Sequence, residues 1–203
     1  LSVSTSASEV NGSTGLSSTA MGFLTIASGE ASTAMGISTN AEGVYSTAMG
    51  YNATASGFIS TAMGSTTNAE GDYSTAMGLL TTASGNYSTA MGNNTTASDY
   101  GSVVMGKYNN EGSTITMNAT SFDPANTALV IGNGTDAANP SDAFKVMFSG
   151  DATLAGNLDV TNGTVQAQAF VGDGSGLWGL GGTNGTTFGQ IQVWDGSNWT
   201  VSD

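Results

Sequence analysis

Carboxylates are the only titratable side chains that this sequence offers in quantity. Its 203 residues include 15 Asp and Glu, two Lys and Arg, and no His or Cys, for a net charge of −13. Without His or Cys there is no thiol nucleophile, no disulfide and no His-based metal site. Glu42, Glu70 and Asp72 could pair across the chain, but glycoside hydrolysis needs two facing carboxylates and no acid has an evident catalytic partner. We therefore expect a protein that is not an enzyme and holds no metal or cofactor.

One glycine-rich segment has the composition of a ligand loop. Gly172-Asp173-Gly174-Ser175-Gly176 superficially resembles a phosphate-binding or calcium-binding loop. It lacks the Lys of a P-loop and the alternating Asp and Asn ligands of a calcium loop. An ordinary turn is the favoured interpretation.

Charge and hydropathy also limit the partners. Lys107 and Lys145 are the only bases available for phosphate contacts, so binding to nucleic acid or to an anionic membrane is disfavoured. No apolar run approaches the roughly 20 residues that a membrane-spanning helix needs. We expect neither nucleic acid nor membrane insertion for this stretch of chain.

A strict repeat sets the elements that position these side chains. The pentapeptide STAMG recurs every 14 residues, starting at Ser18, Ser32, Ser46, Ser60, Ser74 and Ser88, with a looser copy at Ser102. A fixed period indicates one structural unit stacked on itself, which is a solenoid. A period of 14 is too short for two packed helices but suits two short strands and two tight turns. The sequence thus predicts an all-β parallel solenoid of 14-residue coils.

Strand alternation gives each STAMG two faces, with Ser and Ala on one and Thr and Met on the other. The other half of each coil repeats Ala-x-Gly, as in Ala41-Glu42-Gly43, and its Ala and Gly also share a face. We predict that these small residues oppose Ser and Ala inside a flattened tube, and that glycines supply positive φ at the turns. The alternative, with Met inside the roll, leaves a lopsided gap opposite Ala-x-Gly and is less favoured.

The methionines then form a row on the outer face, about 4.7–4.9 Å apart. Monomers rarely expose an apolar stripe of this length. Burying each Met side chain contributes roughly 1.5–3 kcal/mol, so we predict that this face is a subunit interface. The row consists of Met21, Met35, Met49, Met63, Met77, Met91 and Met105.

STAMG at this period, with Ala-x-Gly in the other half-coil, resembles the YadA-like head repeat of trimeric autotransporter adhesins. There the motif is Ser-Val-Ala-Ile-Gly, and related repeats occur in phage tail fibres. The resemblance covers about residues 9–106, with Thr and Met here in place of Val and Ile. It implies a left-handed parallel β-roll in which three chains pack about a threefold axis. It also implies that the Met row faces this axis together with Thr19, Thr33, Thr47, Thr61, Thr75 and Thr89.

We predict four regions along the chain. Residues 1–106 are the head repeats, beginning with an imperfect coil or entry strand over residues 1–8. A degenerate capping coil and linker follow at 107–125, where Lys107 and Glu111 would blunt the exposed sheet edge. The last two regions are a β-rich neck or connector at 126–160 and a stalk segment with a Trp-containing hairpin at 161–203.

The neck and stalk assignments rest on shorter patterns. Segments 128–134 and 143–150 read as strands closed by turn residues. The sequence at 170–177 resembles a motif common in the stalks of such fibres. Asp195-Gly196 favours a tight turn between strands carrying Trp194 and Trp199. Because Leu1 opens in mid-pattern, we expect the sequence to be a piece of a longer protein.

The predicted function is attachment. The chain would be the head and neck of a homotrimeric extracellular fibre, a surface adhesin or a phage tail fibre, whose partners are copies of itself and an unidentified glycan or protein receptor. Alternation places the site occupied by Tyr45, Ile59, Tyr73 and Tyr87 on the Met side, where packing on a neighbouring chain is favoured over glycan stacking. Variable outer positions would tune recognition, namely Phe23, Val44, Phe58 and Tyr100.

A second hypothesis is a monomeric solenoid that binds ice or polysaccharide through its regular Thr ladder. Its weakness is that Met shares the face with Thr, which makes a flat, water-ordering surface less plausible.

Overall fold

The computed structural model describes residues 12–110, 112, 114–161, 191–194 and 199–202. The chain divides into two compact units, Leu1–Leu158 and Asp159–Asp203. Across these described stretches, strands are the only regular secondary structure. Consequently, none of the described residues forms a helix that could span a membrane.

The STAMG copies form one set of long strands in the first unit. Each strand begins at the residue after Ser and ends one residue beyond Gly, and successive strands pair in parallel with Met beside Met. Their bounds are β2 (Thr19–Phe23), β4 (Thr33–Ile37), β6 (Thr47–Tyr51), β8 (Thr61–Ser65), β10 (Thr75–Leu79), β12 (Thr89–Asn93) and β14 (Val103–Lys107).

The other half of each coil contributes a short strand to a second parallel sheet of seven strands. These strands are β1 (Gly12–Ser13), β3 (Ile26–Ala27), β5 (Asn40–Ala41), β7 (Thr54–Ala55), β9 (Asn68–Ala69), β11 (Thr82–Ala83) and β13 (Thr96–Ala97). Each 14-residue coil therefore supplies one strand to each sheet. The predicted all-β parallel solenoid, of about seven turns, is confirmed.

Small side chains fill the space between the two sheets. The Ala residues of both strand sets are at most 1% exposed, and so are Ser32, Ser46, Ser60, Ser74, Ser88 and Ser102. The interpretation with Met inside is wrong, because Met21 is 42% exposed and Met77 is 40% exposed. A further buried column was not identified from the sequence, although it lies two residues before the short-strand Ala and repeats every 14 residues. It consists of Thr25, Thr39, Ala53, Thr67, Thr81 and Thr95.

The two glycine columns exist for different physical reasons. Gly50, at the end of STAMG, has φ = 124°, a conformation that a side chain disfavours. Gly43, in Ala-x-Gly, has no such φ, but a Cβ there would overlap the backbone carbonyl oxygen of Gly57 in the next coil. The prediction that glycines supply positive φ is therefore correct for the first column and wrong for the second.

Residues with side chains take up the left-handed conformation at both turns. Tyr45 has φ = 59° and Ile59 has φ = 53° at the turn before STAMG, while Leu80 has φ = 54° at the turn after it. This conformation costs a residue with a Cβ roughly 1–2 kcal/mol. Stacking of the coils therefore offsets a recurrent local strain.

Beyond β14 the two sheets end differently. The short-strand sheet stops at β13, whereas the long-strand sheet continues through β15 (Thr127–Asn133), β16 (Asp142–Met147) and β17 (Ala152–Leu154) to a total of ten strands. Strand β15 is parallel to β14 and aligns Ile131 with Met105 and Gly132 with Gly106. Strands β16 and β17 are antiparallel. The predicted boundary between the linker and the neck, at residues 125 and 126, stays a prediction. The ten-stranded sheet includes strands from both sides of this boundary.

The residues between β14 and β15, which we call the closing segment, follow the last coil and are joined to it by polar side chains. Asp99 occupies the position of the Ala-x-Gly glycine, is fully buried, and accepts hydrogen bonds from the N–H groups of Thr116 at 2.6 Å and Thr127 at 2.8 Å. The Asn109 amide accepts from the N–H of Thr96 at 2.8 Å and donates to its carbonyl at 3.0 Å. The Asn109 side chain therefore takes the place of the next backbone rung on the last short strand, whereas Asp99 holds the residues that follow the last coil.

Lys107 does not blunt a sheet edge as predicted. It is the last residue of β14 and is paired in register with Asn93 on one side and Asn133 on the other. Glu111 lies outside the described residues.

In the second unit the structure describes two strands, β18 (Ile191–Trp194) and β19 (Trp199–Ser202). They are antiparallel, with Trp194 opposite Trp199, in agreement with the predicted hairpin. Three predicted segments lie outside the described residues: the entry at 1–11, the stalk-like motif at 170–177 and the turn at 195–198.

Candidate functional surfaces

The predicted Met and Thr rows lie together on the outer face of the ten-stranded sheet. Parallel register places each Met beside the Met of the next coil, from Met21↔Met35 to Met91↔Met105. The Thr residues two positions earlier lie on the same face and are partly exposed. The structure therefore assembles these residues into one surface, which we call the Met face. Their role at an interface stays a prediction.

The Met face continues past the repeats, which sequence analysis did not anticipate. In β15, Leu129 and Ile131 align with Val103 and Met105. In β16, Val146 lies opposite Leu129 and Phe144 lies opposite Ile131, and Phe144 is in turn opposite Leu154 of β17. Because directly opposed residues share a face of a sheet, apolar side chains extend across all ten strands. The sequence signal for this extension is Ile131-Gly132, which matches the Met-Gly of the repeat motif.

A second feature is a line of aromatic rings along the turn that precedes STAMG. Neighbouring ring centroids are 6.0 Å apart for Tyr45–Phe58, 5.4 Å for Phe58–Tyr73, 4.8 Å for Tyr73–Tyr87 and 5.2 Å for Tyr87–Tyr100. Tyr45 is 53% exposed and Tyr87 is 50% exposed. We call these five residues the aromatic edge.

The aromatic edge corrects the predicted placement of the Tyr and Ile site. Alternation assigned Tyr45, Ile59, Tyr73 and Tyr87 to the Met side, but each has φ between 53° and 60°. A left-handed residue interrupts the strand, so its side chain belongs to the turn rather than to either strand face.

The four predicted recognition residues fall into two places. Val44, Phe58 and Tyr100 occupy equivalent positions in the turn before STAMG, and two of them are members of the aromatic edge. Phe23 is the last residue of β2, beside Ile37, and so lies at the opposite turn.

Carboxylates lie along the same turn as the rings. Glu30, Glu42, Glu70 and Asp72 are all exposed, and Oδ1 of Asp72 accepts the N–H of Phe58 at 3.0 Å. Glu42 and Glu70 are two coils apart with Ser56 between them, so adjacent rungs do not present them as a pair. Among the described residues, no group of three or more Asp, Glu, His or Cys could hold a metal ion.

One exposed carboxylate has a perturbed acidity. The side-chain amide of Asn139, followed by the N–H of Ala138, donates to Asp136 and holds the pKa of that carboxyl below its ordinary value. Asp136 lies in the turn between β15 and β16 and therefore serves to shape that connection.

Comparison with known proteins was informative in one case. The family model for the YadA head domain repeat, which represents two copies of the repeat, matches residues 13–39, 27–53, 41–57, 55–80 and 83–109. Neither the curated proteins nor the solved structures gave a match.

Proposed function

Residues 13–109 of this chain are YadA head domain repeats, and on that premise we propose that the chain is the head and neck of a homotrimeric extracellular fibre that serves in attachment. The roll is left-handed in this proposal, and three Met faces surround the threefold axis. The fibre belongs to a bacterial surface adhesin or to a phage tail, and its receptor is a surface glycan or protein.

The single observation that carries the proposal is the apolar Met face. In one chain Met21, Met77 and Ile131 are each about two-fifths exposed, at 42%, 40% and 38%. Burying the exposed part of each such side chain contributes roughly 1 kcal/mol. The other Met residues of the face are partly exposed and contribute less each. Summed over ten strands, the association free energy is several kcal/mol per chain before the cost of association.

The small interior of the roll strengthens the same argument. Among the residues that the structure describes, the buried apolar core contains only Ala and two Val, so each coil buries little apolar surface on its own. Packing three rolls through their Met faces would add the larger side chains to a common core. A closed ring of three gives every chain the same contacts and leaves no face open to further growth.

The first test is the molar mass of the folded protein in solution, measured by light scattering. A mass of about three times the 20.2 kDa chain supports the proposal. A mass of one chain contradicts it and favours the monomeric alternative, in which the Thr ladder binds ice or polysaccharide.

The second test addresses attachment. Deleting residues 51–78 removes two whole coils, keeps the 14-residue register, and shortens the head by roughly 9–10 Å. If the roll itself binds, adhesion should fall in proportion to the lost coils. Unchanged adhesion would leave the roll as a spacer and move attachment elsewhere in the fibre.

A further inference from the structure

The aromatic edge lies on a turn, apart from the strand residues that form the Met face. We propose that this edge binds an extended basic polypeptide, whose Lys or Arg side chains contact the rings and the neighbouring carboxylates. The inference names a partner class for the attachment role and rests on that proposed function for its biological meaning.

Ring orientation favours cations over sugars. The planes of Tyr45 and Phe58 are 77° apart and those of Phe58 and Tyr73 are 81° apart, whereas Tyr73 and Tyr87 stack on each other at 4°. A sugar chain lying on successive rings needs their free faces side by side, and this alternation does not provide them. A guanidinium or ammonium group needs only one ring face within about 6 Å.

Charge complementarity selects the same partner. Four exposed carboxylates lie along this turn, and residues 1–106 contain no Lys, Arg or His to neutralise them: Glu30, Glu42, Glu70 and Asp72. A second copy of this chain would bring the same negative charges against them, and nucleic acid would be repelled for the same reason. A basic segment gains ion pairs and cation–π contacts together.

The length of the edge sets the length of the peptide. Five rings over four coil intervals extend about 19 Å at strand spacing, which corresponds to about six residues of extended chain. Since alternate residues of a strand point to the same side, about three basic side chains can reach the edge. A suitable probe is therefore an eight-residue peptide that alternates Arg and Ser.

The experiment measures binding of this peptide to the full chain by calorimetry, at low and at moderate salt. Tyr73→Asn with Tyr87→Asn removes two rings while keeping a residue type that tolerates the left-handed backbone. We expect affinity to fall about tenfold, from the loss of two cation–π contacts. Asp72→Asn retains the oxygen that accepts the Phe58 N–H, as Asn86 does for Asp72 in the next coil, and should weaken binding and its salt dependence.

The matched control is Thr66→Asn with Leu80→Asn. Both residues have φ = 54° at the opposite turn, so these changes repeat the backbone effect without touching a ring, and affinity should not change. A peptide that alternates Gln and Ser should not bind.

Any of four results would overturn the inference. One is equal affinity for the Arg and Gln peptides, and another is equal loss of affinity in the ring and control variants. The third is loss of the trimer in the ring variants, which would make the edge a contact between copies. Fourth, if the protein is a trimer but does not bind the Arg peptide, the proposed peptide site is refuted and the proposed trimer is not. If the protein is a monomer that binds the peptide, the proposed trimer is refuted and the peptide site is not.

Discussion

The coils and the closing segment both have to pair their backbone N–H and C=O groups, and they do so in different ways. Within the roll, the N–H and C=O groups of one coil pair with those of the next, and the side chains between the sheets are small. At the closing end, the Asn109 side chain pairs with the backbone of Thr96, as a further coil would have done. The side chains of Asp99 and Asn126 accept backbone N–H groups of the residues that follow the last coil, namely Thr116, Asn118 and Thr127. The repeated region thus depends on the absence of side-chain volume, and the closing segment depends on particular polar atoms. The two regions should therefore fail in different ways when mutated.

The largest effect is expected on the surface that spans both regions. Met49→Asp with Met63→Asp would place six like charges near the proposed threefold axis, and each uncompensated buried charge costs about 3–5 kcal/mol. The trimer should dissociate, as measured by light scattering. Ile131→Asp, beyond the repeats, should weaken the trimer as well if the Met face works as one interface. Trimers with unchanged melting in the double variant would refute the placement of the axis.

Overpacking the interior comes next. Ala48→Leu adds three carbons where Ala48 is fully buried between the sheets, so we expect destabilisation by at least about 3 kcal/mol or failure to fold. Glu42→Gln, on an exposed position of the opposite half-coil, should change stability by less than about 0.5 kcal/mol. Denaturant unfolding compares the two, and similar tolerance at both positions would contradict the packed two-sheet roll.

Exchanging residues between the two regions sharpens the contrast. Asp99→Gly restores the residue of the ordinary coil but leaves the N–H groups of Thr116 and Thr127 without their acceptor, at a cost of about 2–4 kcal/mol. Asp99→Asn should be intermediate, because one amide oxygen can still accept. The reverse change, Gly85→Asp, should also destabilise, because a Cβ there overlaps the backbone of Asp99. Equal stability of Asp99→Gly and wild type would show that Asp99 does not hold the closing segment.

A stabilising change is expected at the strained turn. Ile59 is β-branched and has φ = 53°, whereas the equivalent residue near the closing segment is Gly101, with φ = 69°. Ile59→Asn should therefore raise the free energy of unfolding by up to about 1 kcal/mol. Gly101→Asn is the counterpart; a Cβ there would be 3.3 Å from the Phe148 ring, so no gain is expected. A loss of stability in Ile59→Asn would mean that the Ile side chain packs more favourably than its exposure suggests.

The smallest effect concerns pH and the turn after β15. Asp136 has a lowered pKa in the folded chain relative to the ordinary 3.8. Its contribution is therefore fully present above that value and is lost as pH falls through the lower folded pKa. Melting measured between pH 6 and pH 2 should show a slightly steeper acid loss for wild type than for Asp136→Asn. Identical pH profiles would show that ionisation of Asp136 does not contribute to stability.

The coil could be predicted from the sequence because its period, its small residues and its alternation all point to one arrangement. The interior Ala and Ser columns and the outer Met row followed directly from this. The turn residues did not follow, because alternation holds only within a strand and Tyr45 has left a strand conformation. The second role of glycine, seen at Gly43, depends on how closely the coils stack.

The continuation of the long-strand sheet into β15 could not be predicted, because the repeat period breaks there. Gly132 aligns with Gly106 across an interval of 26 residues rather than 14, so a search at fixed spacing assigns β15 to another region. Asp99 departs from the glycine of the Ala-x-Gly column, but this change does not indicate its partners, since Thr116 and Thr127 are distant in sequence. Only the folded chain brings these groups together.

Interchangeable coils have a genetic consequence. Each coil has the same register with its neighbours, and Asp99 marks the closing end once. A gene that gains or loses 42 nucleotides within the repeats therefore encodes a roll with one coil more or one coil less and with the same closing end. Recombination between near-identical repeats can therefore change the length of the roll in steps of about 4.8 Å, without any new packing having to evolve.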